Sequence, residues 1–133
     1  MASRYSITSG LASAPSTWDG GTTVPVSGDR VLICTGHTVT VDGAYTWGDD
    51  STATISINGV STTAGIHVNG TLKASRVASS TLTCQGDLLI ALNGTLDYGT
   101  EVDPIPAAVT AWIVANYSST MAHNKYWVFG ISG

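Results

Sequence analysis

Two carboxylates stand beside two aromatic rings in the run AYTWGDD, which holds Tyr45, Trp47, Asp49 and Asp50. Glycoside hydrolysis uses a carboxylate pair flanking the bond, one of them with a raised pKa, and rings can form a platform for sugar. Adjacent residues of an extended chain point to opposite faces, so Asp49 and Asp50 make a poor acid and base pair and are expected in a solvated loop. Tyr45 and Trp47 share a face and are the candidate glycan contacts. Lyase chemistry would need a cationic cluster against a uronate, and Lys73 with Arg76 is thin support for one.

The remaining reactive residues are dispersed. His37, His67 and His123 show no metal-ligand spacing such as HxH or HExxH. His67 lies between Ile66 and Val68 and is expected to face outward from its strand. Cys34 and Cys84 are expected to be buried thiols acting as small apolar residues, and they occupy matching places in the repeat described below. No serine sits in a GxSxG elbow. Asp87 and Asp97 are expected to face solvent. The expectation is a protein without catalytic residues, metal or cofactor.

Composition limits the partners. The 133 residues carry a net charge of −4, with only Arg4, Arg30, Lys73, Arg76 and Lys125 positive. That balance argues against binding nucleic acid, which needs a basic patch. No apolar run approaches the length of a membrane span, and MASRYSITSG lacks the apolar stretch of a signal peptide. One Glu, two Lys and one Gln, against abundant Ser, Thr and Gly, point to an all-β chain. Three sequons begin at Asn69, Asn93 and Asn116, the first two of which read more simply as Asn-Gly turns.

A repeat organises the sequence. The pattern apolar–x–apolar–polar–Gly occurs six times, as LICTG, VTVDG, ISING, IHVNG, LTCQG and IALNG, ending at Gly36, Gly43, Gly59, Gly70, Gly86 and Gly94. Alternation suits a half-buried strand and the polar-Gly pair suits a turn. Every second glycine gives two series, Gly36, Gly59, Gly86 and Gly43, Gly70, Gly94, with steps of 23 to 27 residues. This predicts a short single-stranded right-handed parallel β-helix of about three coils. A hairpin sandwich would not give two interleaved series. The tetrapeptide NGTL, at Asn69–Leu72 and Asn93–Leu96, is expected to open equivalent strands. Pro104 and Pro106 are expected to end the stacking, because proline lacks a ladder donor.

The run STWDGGTTVPVSGDRVLICTGHTVTVDG, with Trp18, Gly20–Gly21, Val24–Pro25, Gly28–Asp29 and Gly36–His37, continues through NGTL to GTLDYGTEVDPIP. Over about Ser16–Pro106 it resembles the glycine-rich β-helical domain named for its eight glycines. That domain is found in large extracellular proteins and in bacterial and phage proteins, and its biochemical role is poorly defined. The expected organisation is a β-helical domain over 1–106, with an N-terminal cap over 1–27, and, departing from that family, a capping or assembly segment over 107–133. In that tail Trp112, Tyr117, Tyr126, Trp127 and Phe129 are the expected assembly contacts, by folding back as a cap or by β-augmentation.

The expectation from analogy with phage proteins is a non-enzymatic virion structural protein of a tailed phage. It would be a capsid decoration (cement) protein, made in a host cytoplasm, trimeric, and bound to the major capsid protein or another virion protein. The alternatives are a tail or fibre component, a carbohydrate-binding module, and a degenerate polysaccharide-degrading enzyme.

Overall fold

The computed structural model describes residues 3–49, 51, 53–116 and 127–129. Short alternating segments become strands because one side of each is apolar and β-branched, and Gly, Asn or Asp ends each one. They are β1 (Ser3–Tyr5), β2 (Gly10–Leu11), β3 (Arg30–Ile33), β4 (Thr38–Val41), β5 (Ala44–Gly48), β6 (Ile55–Ile57) and β7 (Val60–Thr62). There follow β8 (Ile66–Val68), β9 (Thr71–Ala74), β10 (Ser80–Gln85), β11 (Leu88–Ile90), β12 (Thr95–Asp97), β13 (Ala111–Asn116) and β14 (Trp127–Phe129). The only helical piece among the described residues is a short 3-10 turn at Pro15–Thr17.

Twelve of these strands build three parallel sheets. The first runs β1-β3-β8-β11-β14, the second β2-β4-β9-β12 and the third β5-β10-β13. The chain visits them in one fixed order, β3-β4-β5, then β8-β9-β10, then β11-β12-β13. Each circuit therefore lays one strand beside its predecessor in all three sheets. Register follows the side chains. Val31, Ile66 and Leu88 form one row, and Ile33, Val68 and Ile90 the next. Val39, Leu72 and Leu96 line the second sheet, and Tyr45, Leu82 and Ile113 the third. These rows face one another as a single core.

The two NGTL copies do occupy equivalent places, with Thr71 beside Thr95 and Leu72 beside Leu96. The glycine series do not. LICTG, IHVNG and IALNG share the first sheet, VTVDG enters the second, and LTCQG enters the third. ISING is not in the stack at all. It forms an antiparallel hairpin of β6 with β7, and its Asn58–Gly59 turn has φ of 48° and 83°. Left-handed φ at both central residues is the type I′ arrangement that Asn-Gly favours. The long circuit between β3 and β8 thus contains a side excursion over 49–65, which the spacing had counted as part of a coil.

Residues 3–11, expected within the cap, contribute β1 and β2 to the sheets. Pro104 and Pro106 lie in an irregular connection, after which β13 pairs with β10 over six residues, from Ser80↔Ala111 to Gln85↔Asn116. The prolines detour the chain without ending the stack. Where β5 ends, Gly48 has φ of 95°, and a Cβ there would run into the carbonyl of Gln85. Glycine is what lets neighbouring circuits approach at that corner.

Candidate functional site

The aromatic strip on β5 points mostly inward. Trp47 is 0% exposed and packs edge-on against Trp18, with ring centroids 5.5 Å apart. A ring with no accessible face cannot stack on a sugar from solvent. Tyr45 is half-buried against Trp47, and its hydroxyl donates to Asp42 Oδ1 at 3.1 Å. Burial, and then the neighbouring Asp42 carboxylate, push the Tyr45 phenol up to about 12. The pair acts as wall and core of the third sheet. Asp50 lies outside the described residues.

Asp49 is structural as well. Arg30 is fully buried, although it lies on the outward side of β3. Its Nε donates to Asp49 Oδ1 at 3.0 Å, Nη1 to the Ala53 carbonyl at 2.6 Å and Nη2 to the Ser51 carbonyl at 2.8 Å. A planar fork with fixed donors suits this task. Arg30 therefore ties down the root of the excursion that carries β6 and β7.

The histidines and cysteines are spread over different elements. His37 Nδ1 meets Ser6 Oγ at 2.8 Å, and the same hydroxyl accepts the Cys34 N–H at 2.8 Å. Ser6 is buried, and the pair satisfies polar groups where β1 meets the end of β3. His67 does leave its strand on the outward side. It is only 7% exposed, however, because the hairpin lies over it. His123 lies outside the described residues. Cys34 follows β3 in the first sheet and Cys84 is in β10 of the third, so the two do not occupy matching places. Asp87 is buried rather than solvent-facing, and Asp97 is half-buried with Arg76. Arg76 is committed to Asp97 and Asp103, which leaves no cationic cluster with Lys73. Among the described residues no group of three or more His, Cys, Asp or Glu is placed to hold a metal ion.

The exposed apolar surface is elsewhere. β13 lies at the edge of the third sheet, with β10 as its one strand neighbour among the described residues. Its alternate residues Trp112 and Val114 are 62% and 43% exposed, while Ile113 turns toward the core. Register extends this outer face inward along uncharged rows, Trp112 beside Thr81 and Ala44, and Val114 beside Thr83 and Thr46. Of the expected assembly residues, Trp112 is thus at an exposed edge. Trp127 and Phe129 lie in β14, which pairs with β11 of the same chain. Tyr117 and Tyr126 lie outside the described residues. Val114 was missed because only rings were sought, although alternation in AWIVAN places it on the Trp112 side.

Comparison with family models, curated proteins and solved structures finds nothing that matches this chain.

Proposed function

We propose that the three-sheet stack is a short right-handed parallel β-helix of the glycine-rich kind. In this reading it serves a tailed phage as a non-enzymatic virion structural protein, a capsid decoration protein that clamps the shell through trimeric contacts. The fixed visiting order of the three parallel sheets supports the helical reading, and right-handed crossovers are the rule for parallel strands. The carrying observation for function is the β13 edge, with Trp112 and Val114 exposed on a long uncharged strand. An unprotected apolar edge is a template for strand addition, and exposed Trp is the commonest kind of interface anchor. A stack paired mainly through its backbone is stiff, which suits a clamp. The burial of Trp47 removes the ring platform on which a glycan-binding reading rested.

The test is light scattering and shell binding by the full chain and by a Trp112→Lys/Val114→Lys variant. The expected result is a wild-type trimer that binds undecorated phage shells. The variant should be a monomer with the same β-rich circular dichroism and lose shell binding. A wild-type chain that stays monomeric and does not bind such shells would overturn the proposal.

A further inference from the structure

The hairpin lies on the outer face of the first sheet and closes a second, smaller apolar layer there. Leu32 and His67 are adjacent outward positions on β3 and β8. Leu32, Ile57 on the hairpin, and Ala64 beyond it are all buried, yet they stand apart from the main core. Such a layer excludes water from whatever polar group it contains, and it contains an imidazole.

Both nitrogens of that ring are engaged. His67 Nε2 lies 3.1 Å from Asn69 Oδ1, an acceptor, so Nε2 carries the proton of the neutral ring. Nδ1 is then a bare acceptor, and the Thr62 hydroxyl at 2.9 Å donates to it. The Thr62 oxygen in turn accepts the Ala64 N–H at 3.0 Å. The chain of donors is complete only while the ring is neutral. A second ring proton would sit on Nδ1 and displace the Thr62 hydroxyl hydrogen from the acceptor it has on the neutral ring.

We propose that His67 is a proton-operated latch, which holds the β6–β7 hairpin against the first sheet when neutral and releases it when protonated. Among the described residues, the other ionisable groups on the adjoining elements are held in other contacts or stand outside this chain of bonds. The hairpin from Ile55 to Thr62 has no titratable side chain. On β1, Arg4 is bonded to Asp19, and Tyr5 completes the strand. On β3, Arg30 is held by Asp49 and two carbonyls, and Cys34 just beyond accepts from Asn58 at the hairpin turn at 3.8 Å. Ahead of β11 stands Asp87, buried and already engaged. Burial lowers the His67 pKa below its ordinary value, with the Asn69 contact opposing. A base depressed in the docked state contributes its full stabilisation above the undocked pKa of about 6.5, and loses it as pH falls from there toward the docked value. Release therefore belongs to mildly acid pH, the range in which histidine switches act.

Amide hydrogen exchange and ring NMR on the full chain test the latch, between about pH 7.5 and about pH 4.5. After correction for intrinsic rates, protection at Ile57, Val60 and Thr62 should fall roughly tenfold or more, with a midpoint that tracks the His67 ring. Protection at Leu82–Cys84 in the third sheet should hold. Equal loss in both places, or an unchanged hairpin while His67 protonates, overturns the latch. His67→Gln should make the hairpin insensitive to pH, and His37→Gln should leave the sensitivity intact; the reverse pattern refutes it. Should His67→Gln fail to fold, Thr62→Val keeps the ring and removes its donor. That variant should show the acid-state exchange of the hairpin already at about pH 7.5, and wild-type-like protection there would count against the proposal.

Discussion

At one end of the stack the chain supplies its own lid, and at the other β13 has β10 as its one strand neighbour among the described residues. Residues 12–21 fold back over the first circuit, where Trp18 bridges to Ser6, packs on Trp47 and donates Nε1–H to the Ala12 carbonyl at 3.0 Å. At the far end Trp112 stands mostly exposed on the edge strand β13. The residue type is the same and the burial opposite. A tryptophan whose N–H and ring are both satisfied internally is a stability element, whereas a mostly exposed one adds little to the fold of the chain that carries it. The two ends therefore differ in what their tryptophans give the fold.

The widest gap should appear when the two tryptophans are truncated. Trp18→Ala removes a fully buried ring and its edge-on contact, and about 3–5 kcal/mol of stability should go with it. Trp112→Ala should change monomer stability by only about 0.5 kcal/mol, as is usual for an exposed position. Urea unfolding followed by circular dichroism reads both. Similar losses at the two positions would break the comparison, because they would mean that Trp112 is covered within the same chain.

A smaller loss is expected where the lid is tied down. Arg4 donates Nε–H to Asp19 Oδ1 at 2.9 Å, and Nη2–H to the carbonyls of Asp19 and Thr23 at 3.0 and 2.9 Å. Arg4→Met keeps the stem and removes these bonds to a mostly buried guanidinium. The cost should be about 2 kcal/mol, the range for hydrogen bonds involving charge. Faster amide exchange at Trp18 and Asp19, with β11 unchanged, should accompany it. Uniform acceleration through all three sheets would show that the lid is not a separable unit.

These differences were legible in the sequence only in part. The apolar–x–apolar–polar–Gly motif fell on five real strands, since alternation and turn chemistry are local properties, while IALNG touches β11 only at Ile90 and otherwise lies in the turn after it. Strand neighbours are not local, and a glycine spacing cannot distinguish a circuit from an excursion. The signal that could have separated them was present in ISINGVST, where Asn-Gly stands between two alternating runs and marks a two-residue hairpin. Burial at sites failed for a related reason. His67 alternates outward as expected, but only the hairpin laid over it makes that outward side an interior. Trp47 was misjudged likewise, because the ring that covers it, Trp18, is distant in the chain.

The smallest effect belongs to the open end, where Arg76 gathers the connection between β12 and β13. Its Nη2 reaches Asp97 Oδ1 at 2.5 Å and Asp103 Oδ2 at 3.4 Å, while Nη1 donates to the Ala74 carbonyl at 2.8 Å. Burial alone would raise the Asp97 pKa, but the Arg76 hydrogen bond, the Gly99 N–H and the charges of Arg76 and Lys73 outweigh it and hold it below its usual value. A carboxylate depressed in the folded state adds stability above its unfolded pKa of about 3.8, and that stability is lost as pH falls through the folded value. Asp103 is half-exposed and solvent screens its share, so Arg76→Ala should cost under about 1 kcal/mol near neutrality. The same variant should also flatten part of the acid-induced loss, and comparing unfolding midpoints at about pH 6 and about pH 3 resolves it. An identical acid slope in wild type and variant would remove Asp97 from the account, leaving the connection at the open end to its own bonds between Thr100 and Asp103 and to the packing of Tyr98 on the core.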